Sequence, residues 1–293
     1  EITLGDWSSD VCSSDLKGRH HGGTHYHNVV EVDGQDQRPW VEGSRFGWLN
    51  HFASAHGVNY VDLGARNHNY TALDRYRRCT ALVDAGEGNA YVFDVFQVAG
   101  GRQHVFALHG PPHSAFTVSP ELGPAGDDSS AYFKSGKFKN PMQAAAPVQG
   151  QVNADWKFLF AADRTKPQET DVHLAATVWG AEGCTLMSAD VTGDTPFDIR
   201  SIHLMRRGDD LFSKFVTLIQ PYEKEAFVNS VKRLEVAGDK ADGAAAMEVL
   251  LRSGRRDVLI CNAGPRARDT ELAQICDDPV RAGDAASLHG AFG

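Results

Sequence analysis

The chain has 293 residues, with 29 Lys and Arg against 38 Asp and Glu, a formal net charge of −9. This balance, with no Lys/Arg-rich block, excludes nucleic acid as a partner, because binding it needs a basic face. No run of about eighteen apolar residues occurs, which excludes a membrane-spanning helix.

Residues 1–16 read as non-native. Asp6-Trp7-Ser8-Ser9-Asp10-Val11-Cys12-Ser13-Ser14-Asp15-Leu16 is the one-frame translation of a common sequencing-adapter string, and Glu1 to Gly5 fit the indexed segment upstream of it. The expected organisation is an adapter-derived 1–16 followed by one domain over 17–293, the interior of a longer protein. Setting aside Glu1, Asp6, Asp10 and Asp15 leaves about −5 on the rest.

Four histidines, His20, His21, His25 and His27, stand within eight positions just before an apolar stretch. His25 and His27 are two apart, so on extended backbone both imidazoles point the same way and can meet one ligand or metal. Imidazole titrates near neutrality and ligates zinc. Solvated loop histidines are the alternative reading of the same spacing.

Short apolar runs of period two then recur: Val29 to Asp33, Arg75 to Val83, Tyr91 to Val98, His104 to His109, Trp156 to Ala161, Ile199 to Arg206, Leu211 to Gln220, Phe227 to Val236 and Asp257 to Cys261. Asp171 to Val178 puts Val172, Leu174, Ala176 and Val178 on one face, as a half-buried strand requires. Asp84 to Asn89 has the residues a hairpin turn needs to reach positive φ, and Gly100-Gly101 separates two further strands. Residues 119–155 are rich in Gly, Pro, Ala and polar residues and read as a long loop joining two sheets. Ala-rich Gly243 to Ser253 is also helix-compatible, and reads as a strand from its place between two strands. The expected fold class is all-β, a large antiparallel two-sheet β-sandwich.

Cys12 falls in the adapter stretch. Cys79, Cys184, Cys261 and Cys276 are widely spaced with no CxxC pair, so zinc-finger and redox-motif readings fail. Buried thiols are the default, with a single disulfide left open. His104 and His109, at odd separation on one strand, must face opposite sides of a sheet. Asp94 lies in an apolar run and needs a partner if buried. Arg77 and Arg78 could meet a polyanion or sit as solvated edge charges.

Several segments together resemble a known family. His27-Asn28-Val29-Val30-Glu31-Val32-Asp33-Gly34-Gln35-Asp36-Gln37 is similar to the "HNtvxvDGxxQ" strand of the heparinase II/III-like polysaccharide lyases. Tyr76 to Asp84 resembles their "hxRtxxxvd" strand, and Tyr91 to Gly110 resembles "yxvDxfrvxGGxxHdyxxHG", the most specific match. Arg206-Arg207-Gly208 with Leu211 to Tyr222 resembles "xRxGxxxxSxFvxVxePy".

The resemblance implies the C-terminal supersandwich half of a two-part enzyme, lacking the N-terminal α/α toroid that carries the catalytic Tyr and Asn. It implies β-elimination on an acidic, uronic-acid-containing polysaccharide, in a bacterial periplasm, cell envelope or secreted setting. A base takes the proton beside the carboxylate while a neighbouring group neutralises it. His25 is the position carried over as catalytic, and His27 as the ligand of a zinc shared with an acidic residue and another histidine. Here Tyr76 replaces the "hxR" histidine and no Asp aligns between Arg38 and Asn50. His51, Asp62 and His104 are then the substitutes that can be named, and zinc is disfavoured. The chain by itself is expected to be inactive. A non-catalytic glycan-binding or supporting sandwich module is the alternative. A self-contained hydrolase would need a carboxylate pair flanking a sugar, and none stands out.

Overall fold

The computed structural model describes residues 24–36, 48–65, 73–135, 138–163, 166–191, 198–236, 243–262 and 271–276. The adapter-like stretch, His20 and His21 lie outside the described residues. Three antiparallel sheets account for the eighteen described strands. The first, of six strands, has the order β1 (Val30–Val32), β6 (Gln103–His109), β13 (Ile199–Arg207), β12 (Thr185–Val191), β9 (Phe138–Ala144) and β8 (Leu122–Pro124).

The second, of eight, has the order β2 (Trp48–Ala55), β3 (Val58–Gly64), β4 (Arg75–Gly86), β5 (Asn89–Ala99), β14 (Phe212–Glu223), β11 (Lys166–Trp179), β10 (Val152–Asp163) and β7 (Ser114–Ser119). The third, of four, has the order β15 (Val228–Leu234), β16 (Ala245–Leu251), β17 (Arg256–Asn262) and β18 (Glu271–Cys276).

Alternation along the strands builds the layers. In β4, Tyr76 faces the six-stranded sheet while Cys79, Ala81 and Val83 face the four-stranded one, because successive side chains take opposite faces. The eight-stranded sheet is thus covered on both sides. One core, including Phe96, Phe106, Trp156, Leu204 and Phe215, fills the sandwich between the six- and eight-stranded sheets. Another, including Tyr91, Phe93, Leu218, Met247 and Leu259, seats the third sheet on the opposite face. The expected antiparallel sandwich is present, and the third layer extends it.

Turn chemistry sets the hairpins as expected. β4 and β5 are joined by Glu87-Gly88, with φ of 56° and 77°, the two positive values that a two-residue hairpin of matching twist demands. His56-Gly57, with φ of 51° and 77°, does the same between β2 and β3.

Residues 119–155 differ from the expected loop. They hold β8, a one-turn-and-a-half helix α1 (Asp127–Tyr132) and β9. Asp127 and Asp128 occupy its first turn, where negative charge suits the helix dipole. The Ser129 hydroxyl accepts from Gly126 N at 3.0 Å, and Gln143 Oε1 accepts from Ser129 N at 2.9 Å. Gln143 lies on β9, so the helix is fixed by tertiary contacts that local composition cannot announce. Gly243 to Ser253 does contain a strand, β16. Val172 is 43% exposed, so on β11 the expected buried face is realised at Ala176 and Val178 rather than along the whole run.

The two arginines take neither expected role. Arg77 forks onto the fully buried Asp62, with Nε donating to Oδ1 at 2.9 Å. Arg78 Nε donates to Asp94 Oδ1 at 2.7 Å, and the Thr80 hydroxyl donates to the same oxygen at 2.6 Å. Asp94 thus finds its partners at Oδ1, while its buried Oδ2 has none among the described residues, and both guanidiniums are internal struts.

Candidate functional site

His25, His109 and His203 converge on the outer face of the six-stranded sheet, away from the sandwich core. Local chemistry puts them there. Asp33 and Gly34, at φ of 53° and 64°, reverse the chain after β1, and Asp33 Oδ1 accepts from Arg102 N and Gln103 N at 2.8 Å each. The reversal carries Asp36 back to Thr24, whose N–H donates to Asp36 Oδ1 at 2.7 Å. Thr24–Tyr26 is a 3-10 turn.

That turn corrects the premise of an extended HxH segment. With His27 N donating to Thr24 O at 3.1 Å, His25 and His27 are not alternate residues of a strand, and their side chains do not share a direction by parity. The next residue explains the motif better. Asn28 Oδ1 accepts from both His109 N (2.7 Å) and His109 Nδ1 (2.9 Å), pinning the histidine of the "HG" segment to the "HN" segment.

His25, Glu31 and Asp36 have ligand atoms within 4.8 Å of one another. His25 Nδ1 is 3.4 Å from Glu31 Oε2, and the Glu31 side chain is only 5% exposed. An open pocket of about 440 Å³ is lined by these three residues with Gln103, Tyr132 and Arg207. Arg207 reaches Asp128 and Gln103 from its rim.

The residues that the sequence offers for zinc are not grouped among the described residues. Among the described residues, His27 belongs to no group of three potential ligands. Asp62 is held by Arg77 and Asn50. His104, buried on the opposite side of β6 from His109, is bonded to Ser213 Oγ at 2.9 Å and Gly100 O at 2.7 Å. The carboxylates gather around His25 instead. Two carboxylates and one imidazole match zinc in donor type, but Asp36 Oδ1 already accepts from Thr24 N and the Arg207 guanidinium shares the pocket, so the fit is poor.

Behind His25 lie two further imidazoles that the motifs did not single out as a site. His109 and His203 stand edge to face, with ring centroids 6.0 Å apart. His203 is enclosed by Tyr132, Phe133 and Phe138 at 5.5, 5.0 and 5.7 Å. The Ser201 hydroxyl donates to Ala189 O at 3.1 Å, so at 2.9 Å it must accept from His203 Nε2. His203 Nδ1 and His109 Nε2 are then buried acceptors without a donor among the described residues. Only the burial of sheet-outer positions 109 and 203 under α1 and β9 reveals this pair.

Burial, and then the nearby His27 and His25, lower the His109 pKa to about 4. Burial, then His109 and His25, push His203 well below the ordinary range. Both groups take up protons more readily in the unfolded chain, so the unfolded state binds more protons below about pH 6.5 and stability falls with pH. For His109 alone the loss between pH 7 and pH 5 is expected to be about 2 kcal/mol. Urea midpoints at the two pH values provide the check, and equal midpoints would show that these imidazoles are not buried neutral.

No family model matches the sequence, and no curated protein matches it. Among solved structures, one similar to the chain is the heparan sulfate lyase HepC from Pedobacter heparinus, with a TM-score of 0.49 and 10% identity, covering 82% of this chain and 31% of that one. A heparinase III gene product gives 0.47 and 12%, covering 81% and 30%. Another heparinase III gives 0.46 and 13%, again covering 81% and 30%. The chain thus spans about a third of the length of the solved structures it matches.

Proposed function

We propose that the chain is the β-sandwich part of a polysaccharide lyase that cleaves uronic-acid-containing polysaccharide by β-elimination, in a bacterial periplasm, cell envelope or secreted setting. The observation that carries this reading is the pairing of two lyase-like motif segments beside one pocket. Asn28 and Asp33 of the HN segment bind His109 and the Arg102 and Gln103 backbone of the HG segment, and His25, just before the HN segment, lines a pocket on the open face of the same sheet. In elimination, the proton beside the uronate carboxylate leaves to a base, and the carboxylate must be neutralised as the enolate-like charge develops.

His25 lines the pocket with Glu31 behind its Nδ1, a pairing that orients the ring. In this reading the base and carboxylate-neutralising Tyr and Asn come from an α/α toroid part seated over the same face, and His25 supplies charge to the substrate. His27 is a neighbour of this site rather than a metal ligand.

The test follows the unsaturated product by its absorbance, on heparan-type glycans and on alginate. The chain alone is expected to give no turnover, because removing members of a concerted group costs orders of magnitude in rate. Joined to its toroid part it is expected to turn over, and His25→Ala to abolish most of that activity. Full activity of the His25→Ala protein, or turnover by the chain alone, would overturn the reading.

A further inference from the structure

Two buried thiols face one another between the second and third sheets. Cys79 on β4 is 2% exposed and Cys261 on β17 is 0% exposed, and both belong to the core that joins these sheets. Their alignment follows from contacts at either end. The Tyr91 hydroxyl on β5 donates to Asp257 Oδ2 on β17 at 2.8 Å. From that anchor, Val95 and Cys261 each lie four residues further along their strands, about 13 Å at ~3.3 Å per residue.

The pairing partner of Val95 is Cys79, and the partner of Cys261 is Ala245. A second anchor closes the same end, where Gln97 Nε2 bonds to Gly243 O, two residues from Ala245. The Tyr60 phenol senses both thiols, which raise its pKa after burial does, and the Cys261 thiol is raised first by Cys79. Both strands therefore bring a cysteine to the same level of one interface.

We infer that Cys79 and Cys261 are the two halves of a disulfide that staples the four-stranded sheet to the eight-stranded sheet when the chain folds under oxidising conditions. The oxidant is a disulfide of the oxidoreductase or glutathione class. One protein thiolate attacks it, forming a mixed disulfide and releasing one oxidant thiol. The second protein thiolate then attacks the protein sulfur of that mixed disulfide, forming the Cys79–Cys261 bond and releasing the other oxidant thiol. The protein loses two electrons and two protons, and the oxidant gains both as two thiols. Because both sulfurs are buried, exchange takes place before the third sheet closes.

The closed loop spans about 180 residues. A loop of that length constrains the unfolded chain strongly, and a domain of this size gains roughly 10 °C in Tm from such a link. The apolar core shared by the second and third sheets holds them together in the reduced state as well, so the bond reinforces packing that does not depend on it.

The experiment folds the full chain in a glutathione redox buffer and, separately, under reductant, and maps an unreduced digest by mass spectrometry. A peptide pair joining Cys79 to Cys261, lighter by two hydrogens, is expected from the oxidised sample. The Cys184 thiol is expected to remain alkylatable in both. Reductant is expected to lower the Tm of the oxidised wild type by roughly 10 °C and to leave a Cys79→Ala, Cys261→Ala protein unmoved. Two alkylatable thiols at 79 and 261 after oxidative folding would overturn the inference, and so would a link from either cysteine to Cys276. The wild-type map decides the matter even if the double variant fails to fold.

Discussion

Replacing Gly180 by alanine is expected to destabilise the fold by about 3–5 kcal/mol, from strained backbone and overpacking together. Gly180 follows β11 at φ +78°, and a Cβ there would lie 1.9 Å from Lys214 O and 3.0 Å from Lys214 C on β14. Backbone cannot swing aside as a side-chain tip can, so the strand pair must separate locally. The Gly180 carbonyl also accepts from Arg206 Nη2 at 2.7 Å, tying the same point to β13 of the facing sheet. Gly254→Ala is the control. It sits at φ +88° with nothing within 4 Å, so only the conformational cost of about 1–2 kcal/mol applies. Equal urea midpoints for the two variants would show that close backbone approach is not what position 180 requires.

Removing the Asp62 carboxylate is expected to cost about 3–5 kcal/mol, because a buried cation is left without its counter-charge. Asp62 is fully buried and the Arg77 side chain is 12% exposed. Asn50 Nδ2 also donates to Asp62 Oδ1, at 3.0 Å, so three strands lose a shared anchor. Asp62→Leu combined with Arg77→Met is expected to recover most of the loss, since an apolar pair of similar volume escapes desolvation. Thermal melts of the two single variants and the double variant form the test. A double variant as unstable as the sum of the singles would mean that the two side chains do not act as a pair.

Much of the fold was legible because its signals are local. Alternation marked most strands of the three sheets, and Gly86-Glu87-Gly88 announced the tight hairpin between β4 and β5. The strands that escaped notice, β2, β3 and β12 among them, have Ala, Ser, Asn or Gly at positions where apolar residues would mark a face. In β12 the run Leu186 to Val191 is buried on both faces, which erases the alternation. Helix α1 escaped because a carboxamide on β9 caps it.

The site was legible in part. The HN and HG segments were recognised as motifs, and Asn28 does bind His109. Parity does not set the directions of His25 and His27, because it presumes a strand, while the Asp33-Gly34 reversal and the Thr24–Asp36 bond wind that segment into a turn. His203 carried no sequence signal: a histidine in an apolar strand looks alike whether it faces core, solvent or another imidazole.

By itself the sequence determined the period of its strands, the places where the chain must turn, and the buried charges that needed partners, since each depends on residues a few positions apart. Tertiary structure alone decided that Arg77 and Arg78 bind internal carboxylates, that a third sheet covers the second, and that His25, His109 and His203 share one face while Cys79 and Cys261 share one interface. Those outcomes depend on which strands become neighbours across long stretches of chain, and that choice is made by the total apolar surface the sheets can bury together, a quantity no local window of residues contains.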